Sequence, residues 1–109
     1  MTAYAEVDAW MSNSVQVVRV SGEVDLTNAV VVRDAISQVA SVDAGVIVVD
    51  LTETAYLDSS GIAMLFRLAE RLAQSRQELR VVVPPDSPLR AALELTDLPQ
   101  TIPVLHTLE

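Results

Sequence analysis

The stretch Val46-Ile47-Val48-Val49-Asp50-Leu51-Thr52-Glu53-Thr54-Ala55-Tyr56-Leu57-Asp58-Ser59-Ser60-Gly61 decides how this chain is read. Its first six residues follow Gly45 and are apolar almost throughout, as in a central strand covered on both faces. Beyond Asp58 the period changes. Ile62, Leu65, Phe66, Ala69, Leu72 and Ala73 share one helical stripe, while Arg67, Glu70, Arg71 and Gln74 face the other way. The pattern predicts a buried strand, a connecting loop, and an amphipathic helix that starts at Ser59 or Ser60, directly after Asp58.

Working back from this stretch, residues 3–10 read as a short first strand, and Ser12-Asn13-Ser14 as a turn. Val15, Val17, Val18 and Val20 then form a second strand, so that the two make a hairpin. Gly22 is expected to break that strand, and Thr27 to cap a helix over Asn28 to Ala40 whose apolar positions are Ala29, Val32, Ile36, Val39 and Ala40. Working forward, Leu79 to Val83 is a strand halted by Pro84-Pro85. Ser87-Pro88 starts a third helix carrying Leu89, Ala92, Leu93 and Leu95, because Ser caps and Pro suits the first turn. Thr96-Asp97-Leu98-Pro99 ends it, and Ile102 to Leu105 is a last short strand. The resulting order is β-β-α-β-α-β-α-β, an α/β class with a mixed sheet of four to five strands and three or more helices packed on it.

The 109 residues fit a single domain over 1–109, and half of them are hydrophobic, enough for a core without staples. With no cysteine there is no disulfide, thiol nucleophile or thiolate-held metal. Met1 to Met11 contains Glu6 and Asp8 and no basic n-region, and the apolar runs are only strand-length, so neither a secretory leader nor membrane insertion is expected. A cytoplasmic location fits these features. Fifteen acidic residues stand against seven arginines, a formal charge of −8. That field disfavours direct nucleic-acid binding and favours a basic protein partner, although moderate acidity also serves solubility alone.

The chemistry centres on Asp58-Ser59-Ser60-Gly61, which joins a buried strand to a helix start. Backbone N–H groups lacking intrahelical partners are found there, and the local field favours negative charge. A hydroxyl can cap such a helix, and a phosphate can be held by the same donors. Phosphorylation would add about −1.5 to −2 charges beside Asp58. Plain capping by Asp or Ser, with Gly61 present only for close packing, explains the same four residues, and the tetrapeptide by itself leaves both open. Catalysis has less behind it. The order is not Gly-x-Ser-x-Gly, and the single histidine, His106, is near the C-terminus. Asp25, Asp50 and Asp58 lack metal-ligand spacing, and the three isolated glycines build no phosphate loop, so no cofactor is expected.

Gly22-Glu23-Val24-Asp25, a helix, Val-Ile-Val-Val-Asp-Leu, and then Tyr56-Leu57-Asp58-Ser59-Ser60-Gly61-Ile62 together resemble a STAS domain of the anti-sigma factor antagonist type, from about residue 3 to about residue 105. The resemblance implies a partner-switching cycle. The unphosphorylated antagonist binds an anti-sigma factor that is itself a serine kinase, and so frees a sigma factor. The kinase phosphorylates the serine directly after the Asp, which is Ser59 here, with Ser60 as second candidate, and a serine phosphatase resets it. Asp25, Asp58, Ser60 and Gly61 match the partner-binding surface around Ser59. The protein would be the substrate of this chemistry, not an enzyme, and a monomer or weak dimer. It departs from the family where Ala63 replaces a frequent glycine and where Asp97-Leu98-Pro99 replaces a frequent Gly-Leu. The resemblance also admits other STAS roles: the cytoplasmic subunit of a phospholipid-transport ABC complex, or a scaffold in a stress-signalling assembly. A small-molecule sensor at the Ser59 loop has neither an aromatic cage nor a phosphate cradle behind it.

Overall fold

The computed structural model describes residues 4–108, so the expected first strand loses only residue 3 to the undescribed end. Alternating side chains make β1 (Ala5–Ser12) and β2 (Val15–Val24) an antiparallel hairpin, with Trp10 opposite Val17 and Asp8 opposite Arg19. The tight reversal sets Asn13 and Ser14 in the left-handed region (φ 50° and 72°), where short polar side chains are tolerated. Then follow α1 (Ala29–Val39), β3 (Val46–Asp50), β4 (Thr54–Leu57), α2 (Ser59–Gln74), β5 (Glu78–Val82), α3 (Leu89–Glu94), α4 (Leu98–Thr101) and β6 (Val104–Leu105). The sheet order is β1-β2-β3-β5-β6, parallel from β2 onward, and β4 pairs in parallel with the end of β2.

The sheet is therefore mixed, as expected, but among the described residues it has six strands rather than four to five, and the helices there number four. The additional strand is β4, in the segment expected to be a loop. Its inner residues Ala55 and Tyr56 are exposed while Thr54 and Leu57 are buried, so it carries no two-residue alternation to detect. The additional helix is α4, a single turn started by Leu98-Pro99, where the third helix was expected simply to stop.

Gly22 does not end β2. It takes φ +101° inside the strand, its N–H donates to the Glu53 carbonyl at 3.1 Å, and the register with β4 slips between Gly22 and Glu23. A Cβ there would strike the Tyr4 carbonyl, so glycine permits the close approach. This bulge lets one long strand pair with β3 through Val15–Arg19 and with β4 through Gly22–Val24.

One continuous core packs the helices on one sheet face. It joins Val18, Val20, Ile47, Val49 and Val81 to Val32 and Ile36 of α1, Leu65 and Leu68 of α2, and Leu93, Leu98 and Ile102 nearer the C-terminus. The buried stripe of α2 is Gly61, Met64, Leu65, Leu68 and Leu72. It is rotated from the expected one, leaving Ile62, Phe66 and Ala69 half-buried and Ala73 exposed. Val39, Ala92 and Leu95, also expected inside, are exposed. On the opposite face Val17, Val48 and Val82 are buried outside that core, alongside Trp10. There the fully buried Asp50 accepts from Arg19 Nε at 2.9 Å and Nη2 at 2.8 Å, and Arg19 stacks 5.2 Å from the centroid of the Trp10 ring.

Candidate functional site

Two parallel strands, β2 and β4, end side by side, and α1 and α2 leave from those ends. The loop Asp25–Asn28 and the Asp58-Ser59 junction are thereby brought into contact, although they lie some thirty residues apart in sequence. This is the place where parallel α/β sheets expose loops to ligands and partners.

Asp58 holds the junction. Its Oδ1 accepts from the N–H groups of Ser60 (2.8 Å) and Gly61 (3.0 Å), capping α2, and its Oδ2 accepts from the Leu26 N–H at 3.3 Å. Its own N–H donates to the Val24 carbonyl at 3.2 Å. A single carboxylate thus caps one helix and ties down the approach to the other. This corrects one expectation about the site. Two of the helix-start donors expected to be able to hold a phosphate, the N–H groups of Ser60 and Gly61, are already taken by Asp58. A group added to the exposed Ser59 hydroxyl would stand outside that cap.

The second loop is organised by Asp25 and Asn28. Asp25 Oδ1 accepts from the Thr27 hydroxyl (2.6 Å) and N–H (2.8 Å), while Asn28 Oδ1 accepts from the Asp25 N–H (2.9 Å) and its Nδ2 donates to the Glu23 carbonyl (2.9 Å). The Thr27 hydroxyl, then its N–H, hold the Asp25 carboxyl below the ordinary aspartate range. Thr27 is not the helix cap that was expected: Asn28 occupies that position, without a side-chain cap bond. Asn28 is a site residue that sequence reasoning missed, although Asp and Asn three residues apart ahead of a helix are the mark of such a side-chain-bonded turn.

The structure brings Asp25, Asp58, Ser59, Ser60 and Gly61 to one end of the molecule. Ser59 is exposed, Asp25, Asp58 and Ser60 are half-buried, and Gly61 is buried. A Cβ on Gly61 would collide with Leu57 and lie 3.3 Å from Val24 Cγ1, so this glycine is set by packing beneath the site. Around Ser59 lie apolar side chains left in solvent, Leu26 at 80 % exposure and Tyr56 at 50 %. Asp50 belongs elsewhere, paired with Arg19, and among the described residues no acidic, histidine or cysteine group is arranged to hold a metal. His106 is exposed on the segment after β6. Among the described residues, no helix is long and apolar enough to cross a membrane.

Comparison with known proteins places residues 9–106 on the family model described as "Mlab, STAS domain". The chain is 31 % identical over 96 residues to the anti-sigma-F factor antagonist RsfB of Mycobacterium tuberculosis, covering 88 % of this chain and 77 % of that protein. It superposes on the crystal structure of an anti-sigma factor antagonist from Mycobacterium paratuberculosis with a TM-score of 0.83 and 29 % identity, over 99 % of this chain and 92 % of that one. The Bacillus cell fate determinant SpoIIAA in its phosphorylated form shares the fold, with a TM-score of 0.62 and 19 % identity over 91 % and 90 % of the two chains.

Proposed function

The chain belongs to the STAS-domain family, and on that premise we propose that it is an anti-sigma factor antagonist switched at Ser59. The observation that carries the proposal is an exposed residue, Ser59, at the first position of α2, directly after a carboxylate that already accepts from the Ser60 and Gly61 N–H groups. The unphosphorylated surface binds an anti-sigma factor with serine-kinase activity and displaces its sigma factor. The kinase transfers the γ-phosphoryl group of ATP to the Ser59 oxygen, the hydroxyl proton leaves, and ADP departs. A serine phosphatase restores the hydroxyl by hydrolysis. The protein is the substrate at every step.

The switch acts by charge rather than by refolding. The cap donors are engaged by Asp58, so the phosphate adds about −1.5 to −2 charges next to two carboxylates, Asp25 and Asp58, that remain in place. A docking surface complementary to a neutral serine then meets a strongly anionic one. A change of a few kcal/mol alters affinity by orders of magnitude.

The test incubates the protein and its Ser59→Ala and Ser60→Ala variants with ATP and candidate anti-sigma kinases encoded in the same genome. The expected result is one phosphate by intact mass, lost only in Ser59→Ala, with weaker kinase capture after phosphorylation. Tight kinase binding without phosphate on any variant would overturn the phospho-switch. Absence of binding to every candidate would overturn the antagonist reading in favour of the transport-subunit role, and self-association on a sizing column would favour the scaffold.

A further inference from the structure

The helices α1 and α2 rise from neighbouring strand ends and run side by side away from the site, leaving a groove of about 290 Å³ between them. It is open and at the lower limit of the ~300–1,000 Å³ typical of small-molecule pockets, so it fits side chains of a partner better than an enclosed ligand. Leu26 and Ser60 line one end, Val30 and Ala63 the middle, and Arg33 and Arg67 the other end. Arg67 lies seven residues beyond Ser60, about 10 Å along α2, and Arg33 lies one turn into α1, past the Leu26 loop. Arg71 continues the basic end, its Nη1 donating to Ser37 Oγ at 3.3 Å.

Three of the chain's seven basic residues therefore gather at one end of one groove in a protein of net charge −8. They are weakly neutralised. Asp34 pairs with Arg33 at 3.5 Å and is itself largely exposed, Glu70 lies beside Arg67 and Arg71, and Arg67 makes no ion pair among the described residues. Arg33 Nε is buried without a hydrogen-bond partner. The opposite end is acidic: Asp58 accepts from the N–H of Leu26, and Asp25 precedes Leu26 in the same loop. Between them the floor is apolar and solvent-facing, Leu26 and Val30 being 80 % and 58 % exposed.

We infer that this groove docks an amphipathic helix of the protein partner in one orientation. The apolar side chains of that helix sit over Leu26, Val30 and Ala63, its basic end faces Asp25 and Asp58, and its acidic end faces Arg33, Arg67 and Arg71. The inference rests on the proposed function only in naming the anti-sigma factor as the owner of the helix. A third helix over two side-by-side helices is ordinary ridge-and-groove packing, and the helix-in-groove mode supplies the apolar anchors. The opposed charges set direction, since like charges brought together would reject the reversed helix.

The test uses two synthetic helical peptides of about fourteen residues with the same leucine stripe. One carries Lys and Arg in its first turns and Glu in its last, and the other has these charges exchanged. Each is titrated into the isotope-labelled protein and followed by NMR, with a spin label at the acidic end. The expected result is shifts at Leu26, Val30 and Ala63, broadening near Arg67, and at least about tenfold weaker binding of the exchanged peptide or of the Arg67→Glu variant. Arg67 is exposed, so this variant keeps the fold, whereas Arg33 is half-buried and serves only as a second probe. Equal binding of both peptides, shifts elsewhere, or no shift at all would overturn the groove. Peptide binding with no anti-sigma factor captured would leave the groove and remove its proposed owner. Kinase binding and Ser59 phosphorylation unchanged in Arg67→Glu, with neither peptide bound, would leave the function and remove the groove.

Discussion

At the residue scale the site is governed by one carboxylate with two duties. Asp58 caps α2 through Oδ1 and holds the Leu26 N–H through Oδ2. Loss of an N-cap costs about 0.5–2 kcal/mol, so Asp58→Ala is expected to lower stability by about 1–2 kcal/mol in urea unfolding. Asp58→Asn keeps a capping oxygen but turns an amide toward Leu26, and its loss should be smaller. Asp25 has a different dependence. Its lowered pKa comes first from the Thr27 hydroxyl, so the stabilisation it contributes is fully present above the ordinary aspartate value and disappears as pH falls through the depressed one. NMR titration of Thr27→Ala should show the Asp25 pKa rising toward the ordinary value. Ser59, by contrast, is exposed and outside the cap. Ser59→Glu should change stability by no more than about 0.5 kcal/mol, measured by the same unfolding curve.

At the element scale two glycines place the candidate site. Gly61 lets α2 close onto Leu57 at the end of β4, and Gly22 lets β2 pass the Tyr4 carbonyl and continue to β4. Adding a methyl at Gly61 overpacks a buried contact and should cost about 1–3 kcal/mol. At Gly22 the methyl meets backbone at a positive φ, so Gly22→Ala combines overpacking with strain and should cost more than Gly61→Ala. Denaturation midpoints of the two variants test this order, and an equal or reversed ranking would show that β2 can shift without the bulge. The neighbouring strand β4 was hidden from its own residues for the same reason that it matters. Four residues with only the first and last buried show no period, and their pairing with Gly22–Val24 depends on a chain segment far away in sequence.

Over the whole molecule the sheet separates two environments. The helices cover one face, and the other carries a smaller apolar patch with the Arg19–Asp50 bridge at its margin. Asp50 is fully buried while Arg19 is 35 % exposed, so water screens one partner but cannot reach the other. Arg19→Ala should therefore cost about 2–3 kcal/mol, less than the ~3–5 kcal/mol of a fully buried pair, by leaving Asp50 to its bonds from Thr52. Arg19→Ala also removes the cation over Trp10, and the indole fluorescence should change with it. Charge, too, is arranged at this scale: the acidic chain collects arginines at one end of the α1–α2 groove and carboxylates at the other.

The sequence by itself determined the α/β class, the hairpin, the buried central strand and a helix beginning at Ser59 or Ser60, of which the structure has Ser59. Each follows from apolar period, turn residues and capping chemistry, which act over a few neighbouring positions. The motif around Asp58 marked the candidate site. Only the tertiary structure decided what lies beside what. That Asp58 reaches Leu26, that Thr54–Leu57 is a strand, and that Arg33 and Arg67 share a groove all depend on contacts between segments remote in sequence. Such contacts leave no local period, because the partner that satisfies each group is supplied by the closing of the sheet and not by the residues on either side of it.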